Sequence, residues 1–293
     1  MRLTFFLFLI IVLGGCNNTP TDKQPVSSIT VSIRPQKYLV NKIAGDKFNV
    51  SVLVPEGSGP ETYEPTARQM QEISSSSLCF ITGLLDFEKT WFSEVSELYP
   101  ELRVVNLSQG VNVISGEEHD HHDHEAGEEH HHSGLDPHIW LSIRELKTQA
   151  AAVKDALIGL DAANKDYYTA NYSRFIAYAD SADSVITARF KAAPQPVVYM
   201  IYHPSLSYFA RDYNLEQLSI ELEGKEPGAA WMKELIDMAK TKDIRGVYYS
   251  PQLDKRSPQA IASQLGIEAR QFNDLGEDII GNLLKFTDEL TAQ

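Results

Sequence analysis

Short apolar runs alternate with helix-spaced apolar positions along the chain from residue 28 onward. Ile29 to Ile33 and Val50 to Val54 are rich in β-branched residues and predict strands. Thr66-Ala67-Arg68-Gln69 has the spacing of a capping box and predicts a helix start. Leu78-Cys79-Phe80-Ile81 reads as a short buried strand, with Cys79 as a core thiol. Ser142-Ile143-Arg144-Glu145 is a second capping box. The helix it predicts carries Leu146, Ala150, Val153 and Leu157 on one face. Residues 161–192 contain no Gly or Pro, and Tyr168, Tyr172, Phe175, Ala179, Ala182, Ile186 and Phe190 recur at three- or four-residue spacing. That predicts one long amphipathic helix, ~48 Å if unbroken at ~1.5 Å per residue, ended by Pro194 and Pro196. Strands follow at Val197 to Tyr202 and Val247 to Tyr249. Ser257-Pro258 should open another helix, and Gly266 should close it.

The alternation implies an α/β fold: two lobes with mainly parallel sheets flanked by helices, joined by one long rigid helix. The expected boundaries are an N-terminal lobe at 28–160, the linking helix at 161–192 and a C-terminal lobe at 193–293. No short-period internal repeat interrupts this pattern.

The first residues fall outside it. Arg2 precedes the apolar stretch Leu3 to Leu13, which is too short for an ordinary membrane span and fits a secretory signal over 1–15. Leu13-Gly14-Gly15-Cys16 resembles the bacterial lipobox, which implies cleavage before Cys16 and lipid on its thiol; an ordinary signal with an incidental cysteine is the alternative. Residues 16–27 are polar and contain proline, as a flexible lipidated tether would. The expected location is the bacterial cell envelope, lipid-anchored on the extracytoplasmic side. Only Cys79 would remain free, so no internal disulfide is available. The formal charge of −14 argues against nucleic acid and suits a cation.

Chemistry concentrates in Glu117 to His132, where fourteen of sixteen residues are His, Asp or Glu. The seven histidines are His119, His121, His122, His124, His130, His131 and His132. Imidazole and carboxylate bind borderline divalent metals. A tract this polar cannot form a core, so it reads as a solvated loop that collects metal loosely. The chain's remaining histidines, His138 and His203, lie in ordered-looking sequence and could anchor a defined site. Four stretches carry such donors: Pro60-Glu61-Thr62-Tyr63-Glu64-Pro65, Asp136-Pro137-His138, His203-Pro204, and Asn273-Asp274 with Glu277 and Asp278 nearby. Taken singly, each has an ordinary structural explanation.

Taken together, these stretches resemble the solute-binding proteins of bacterial zinc or manganese ABC importers, the high-affinity zinc-uptake binding protein family (cluster A-I). Asp136-Pro137-His138-Ile139-Trp140-Leu141 matches its D-P-H-hydrophobic-W-L segment. His203 with Tyr208-Phe209-Ala210-Arg211-Asp212-Tyr213, and Glu221-Leu222-Glu223-Gly224-Lys225-Glu226-Pro227, resemble two further segments. The resemblance covers nearly all of 28–293 and implies metal ligands at Glu61, His138, His203 and Asp274. It also implies zinc as cargo with manganese as alternative, an ABC permease as partner, a monomer, and no enzymatic activity. One departure matters: Glu61 stands where the family usually has histidine. Either the carboxylate ligates, or it has left the shell and water or a loop histidine replaces it. Glu277 and Asp278 remain alternatives to Asp274. Glu221 and Glu223 are either acceptors for a ligating imidazole or surface charges. Tyr63, Trp140 and Tyr202 read first as lobe core. Imidazole must be neutral to ligate, so binding should weaken below pH ~6. A metallohydrolase is the competing enzyme reading, but no H-E-x-x-H motif is present. A metal-buffering adhesin lipoprotein would explain the His-rich tract alone.

Overall fold

The computed structural model describes residues 27–115, 134–221 and 224–292. The expected signal, Cys16, most of the tether, the His-rich tract with its seven histidines, and Glu223 lie outside the described residues. The N-terminal lobe runs β1 (Ser28–Val31), α1 (Arg34–Ala44), β2 (Asn49–Val52), α2 (Ala67–Ser74), β3 (Leu78–Ile81), α3 (Asp86–Leu98) and β4 (Arg103–Asn106). Its strands pair in parallel in the order β2-β1-β3-β4, with Ile29 opposite Val50 on one side and Leu78 on the other. A 3-10 turn at Ile139–Leu141 leads into α4 (Ile143–Leu160), and another at Ala162–Asn164 leads into α5 (Lys165–Ala192). The C-terminal lobe runs β5 (Val198–Ile201), α6 (Ser207–Tyr213), β6 (Glu216–Ser219), α7 (Ala229–Thr241), β7 (Ile244–Tyr249), α8 (Arg256–Leu265), β8 (Ala269–Gln271) and α9 (Ile279–Thr291). Its order, β6-β5-β7-β8, is again parallel and repeats the winding of the first sheet. Each winding puts a topological switch beside its first strand, the place where open α/β sheets bind ligands.

The capping box at Thr66 forms: its hydroxyl accepts from Gln69 N, and the Gln69 side chain accepts from Thr66 N at 2.8 Å. The second box forms by half. Ser142 caps α4 by accepting from Glu145 N at 3.1 Å, but the Glu145 carboxylate turns to Arg211 and to Asn112 N instead. The long helix begins at Lys165, not at residue 161, so its 28 residues span ~42 Å at ~1.5 Å per residue. Its buried stripe takes Asn171 in place of Tyr172. The Asn171 amide donates to the carbonyl of Ile43 at 2.8 Å, while Tyr172 lies half-exposed beneath Lys154. Helix α8 starts at Arg256, one residue before the expected Ser257 cap, because the Asp254 carboxylate accepts from Arg256 N at 2.8 Å. Gly266 closes it in the left-handed region, φ 71°.

A single apolar core runs from the N-terminal sheet (Val31, Phe80) across α5 (Phe175, Phe190) to the inner face of the second sheet (Tyr199, Phe286). Strand β5 shows the two-residue period: Tyr199 and Ile201 enter this core, whereas Met200 packs with Tyr202, Leu235, Val247 and Ile261 in a smaller cluster on the outer face. Cys79 lies in the main core, and burial pushes its thiol up. The lobes are therefore joined by shared apolar burial as well as by α5. No helix among the described residues is long and apolar enough to cross a membrane.

Candidate metal centre

Each candidate ligand stands in a loop beyond the carboxyl end of a parallel strand. Glu61 follows β2, His138 lies in the connection after β4, His203 follows β5, and Asp274 follows β8. The loop of Glu61 is fixed from α2: Tyr63 donates its hydroxyl to Gln69 Oε1 at 2.8 Å, and Gln69 Nε2 donates to Leu53 O at 2.6 Å. His138 is held by the 3-10 turn that buries Ile139, Trp140 and Leu141.

Folding brings donors from both lobes together. Glu61, His138 and His203 place one ligand atom each within 4.8 Å of the others. The edges of that triangle are 3.2 Å between the two Nε2 atoms, 3.1 Å from His203 Nε2 to Glu61 Oε1 and 3.6 Å from His138 Nε2 to Glu61 Oε1. Ligands at ~2.0–2.1 Å in a tetrahedron about zinc stand ~3.3–3.4 Å apart, which matches.

Both imidazoles are aimed from behind by a carboxylate. His138 Nδ1 lies 2.8 Å from Asp136 Oδ1, which also accepts from His138 N at 2.8 Å. His203 Nδ1 lies 2.6 Å from Glu221 Oε1. An ionised carboxylate only accepts, so the proton in each pair sits on Nδ1 and the Nε2 atoms face the centre. This is the carboxylate–histidine arrangement that raises ligand basicity in metal sites. Burial pulls the His203 imidazole down, but hydrogen bonds and charge from Glu221 and Glu61 overcome it and hold the group up at about 10. Asp136 is pushed up by burial and pulled down further by the charge and hydrogen bonds of His138, ending below the usual carboxylate range.

Asp274 stands outside the triangle yet next to it. It is buried, accepts from Ser250 Oγ at 2.7 Å through Oδ1, and feels the charge of both histidines. Burial dominates and raises its carboxyl. Its alternatives face elsewhere: Asp278 caps α9 by accepting from Gly281 N, and Glu277 is exposed. Trp140 is core and more, since its indole N–H donates to the Asp274 carbonyl at 2.7 Å and its ring centroid lies 5.1 Å from that of His138. Tyr202 belongs to the outer cluster of the C-terminal lobe.

Residues 29–290 match the sequence model of the ZnuA family, described as zinc-uptake complex component A, periplasmic. The chain belongs to this family. It is 25% identical over 274 residues to the high-affinity zinc uptake system protein ZnuA of Bacillus subtilis, covering 90% of this chain and 85% of that one. It is 27% identical over 290 residues to the zinc-binding lipoprotein AdcA of Streptococcus pneumoniae, covering 97% of this chain but 54% of the longer relative. A crystal structure of ZnuA superposes with a TM-score of 0.82 at 34% identity, covering 91% of this chain and 98% of that one. As a ZnuA-family fold, the pair of parallel-sheet lobes and the long helix are as expected.

Sequence reasoning left three contributors without a role. Asp136 was legible only as a motif letter, although an acid two residues before a histidine can fold back on its ring. Tyr208 likewise stood only inside a matched segment, and Ser250 reaches the site from a position with no local signal.

Proposed function

We propose that the chain captures a divalent metal ion, zinc foremost, between its lobes and delivers it to the permease of an ABC importer. The ligands in this reading are Glu61, His138, His203 and Asp274. As a member of the ZnuA family it is a solute-binding protein and not an enzyme. The observation that carries the site is the triangle of donor atoms from two lobes, with each imidazole backed by a carboxylate. Glu61 and Asp274 balance the ion's two positive charges. Half the donors are then oxygens, which eases entry of manganese compared with an imidazole-rich set. The His-rich tract collects ions and passes them inward. Lipid on Cys16 holds the monomer at the outer side of the cytoplasmic membrane or at the cell surface, and the remaining chain reaches the permease.

The test is calorimetric titration of residues 17–293 with zinc and manganese, beside a variant lacking 117–132 and the variants His138→Ala and His203→Ala. One tight zinc site should survive the deletion, with manganese weaker, and should vanish in either histidine variant. Loss of all tight binding with the tract would sink the four-ligand reading.

A further inference from the structure

The two histidines belong to different lobes, and hydrogen bonds tie the loop that carries one to the helix that follows the other. Tyr208, wholly buried in α6, begins the link. Its hydroxyl donates to the carbonyl of Asp136 at 2.7 Å and accepts from Ile114 N at 3.1 Å. Ile114 and Asp136 flank the His-rich tract and are tied to each other by Asp136 N donating to Ile114 O at 2.9 Å. The next turn of α6 adds a second rung. Arg211 donates to Asn112 O at 2.6 Å and to Glu145 of α4 at 2.8 Å, and its guanidinium lies 5.0 Å from the centroid of the Tyr208 ring. Helix α6 begins just beyond His203-Pro204. One short helix of the C-terminal lobe thus grips both strands of the stem that delivers His138.

We propose that Tyr208 is a positioning residue for metal capture: through the Asp136 carbonyl it fixes the carboxylate that aims His138 at His203. A buried phenol needs hydrogen-bond partners in any case. Here both partners are backbone groups of the opposite lobe, and one belongs to the residue whose side chain holds the ligand by two hydrogen bonds. The inference rests on His138 being a ligand. Tyr208 does not touch the ion; it removes the freedom that the Asp136–His138 turn would otherwise have. With the turn fixed, an ion meets a preset pair of nitrogens, and a loose turn would release the ion sooner.

The experiment compares Tyr208→Phe with Tyr213→Phe on residues 17–293. Tyr213 lies on the same helix, and its hydroxyl donates to Asp183 at 2.6 Å, away from the site. Zinc affinity and release rate are read by chelator competition. The placement of His138 is read from Trp140 emission in a Trp91→Phe, Trp231→Phe background. Tyr208→Phe should bind zinc about tenfold or more weakly, mostly through faster release, with altered metal-free Trp140 emission. Tyr213→Phe should match the parent in all three. If Tyr208→Phe does not fold, Arg211→Lys, which keeps the charge but not the two-way grip, should shift release in the same direction. Parent-like affinity and emission in Tyr208→Phe, or equal losses in Tyr213→Phe, overturn the proposal. His138→Ala separates the two readings: tight zinc binding in that variant overturns the ligand assignment and this inference together, whereas its loss beside a parent-like Tyr208→Phe overturns this inference alone.

Discussion

His138 and His203 offer the same nitrogen to the same centre, yet their surroundings divide the work. His138 is set by geometry: a 3-10 turn, two bonds to Asp136, the face of Trp140 and the clasp of Tyr208. His203 is set by charge, between Glu221 at 2.6 Å and Glu61 at 3.1 Å, and its imidazole is raised to about 10. When protonated, His203 carries its positive charge between the carboxylates of Glu221 and Glu61, which is what raises it. A cation entering between Glu61, His138 and His203 would have to displace the His203 proton that Glu221 and Glu61 hold, at a nitrogen pair whose spacing is held by bonds between the two lobes.

The largest expected effect is on pH dependence. Proton competition at His203 reaches well above the pH ~6 expected of an ordinary imidazole. Zinc affinity should rise about tenfold per pH unit from pH ~7 to ~9, with one proton released per ion. Calorimetry in buffers of different ionisation enthalpy measures that proton; a release of none would erase the distinction between the two histidines.

Next in size is a paired substitution. Asp136→Asn and Glu221→Gln should each weaken zinc binding ~10–100-fold at neutral pH, as outer partners of ligating histidines generally do. Only Glu221→Gln should flatten the pH profile, because only it takes away charge that holds the His203 proton. Equal flattening in both variants would remove the special role assigned to the Glu221 charge.

The smallest effect is on the metal-free fold. His203 has a raised value in the folded chain, so its charged form stabilises the fold fully below pH ~6.5, and that contribution fades as pH rises through about 10. The melting temperature of the metal-free protein should fall over that window by more than in His203→Gln. Identical pH profiles for the two proteins would remove the stabilising role assigned to the proton.

Much of the architecture was legible because interior strands must be apolar. Leu78–Ile81 and Val198–Ile201, each in the middle of its sheet and fully buried, announced themselves. Three of the four edge strands, Arg103–Asn106, Glu216–Ser219 and Ala269–Gln271, are only partly buried and their composition does not distinguish them from loops, whereas the fourth, Asn49–Val52, was legible from its valines. Helix caps were half legible. Thr66 formed its full box, but at Ser142 the sequence could not show that Arg211 would compete for Glu145.

What the sequence by itself determined was the kind of chemistry and its scaffold: two histidines in ordered sequence, carboxylates at matching loop positions, and an α/β alternation that places loops at strand ends. Side-chain type and periodicity are local properties, and they survive in a one-dimensional reading. Tertiary structure alone decided which donors meet, because Glu61, His138 and His203 converge from separate loops of two lobes. It also decided that Asp278 caps a helix while Asp274 is buried beside the histidines, and that Glu221 and Glu61 together raise the His203 imidazole. Proximity of charges and loss of water are properties of the folded arrangement, so no local pattern could carry them.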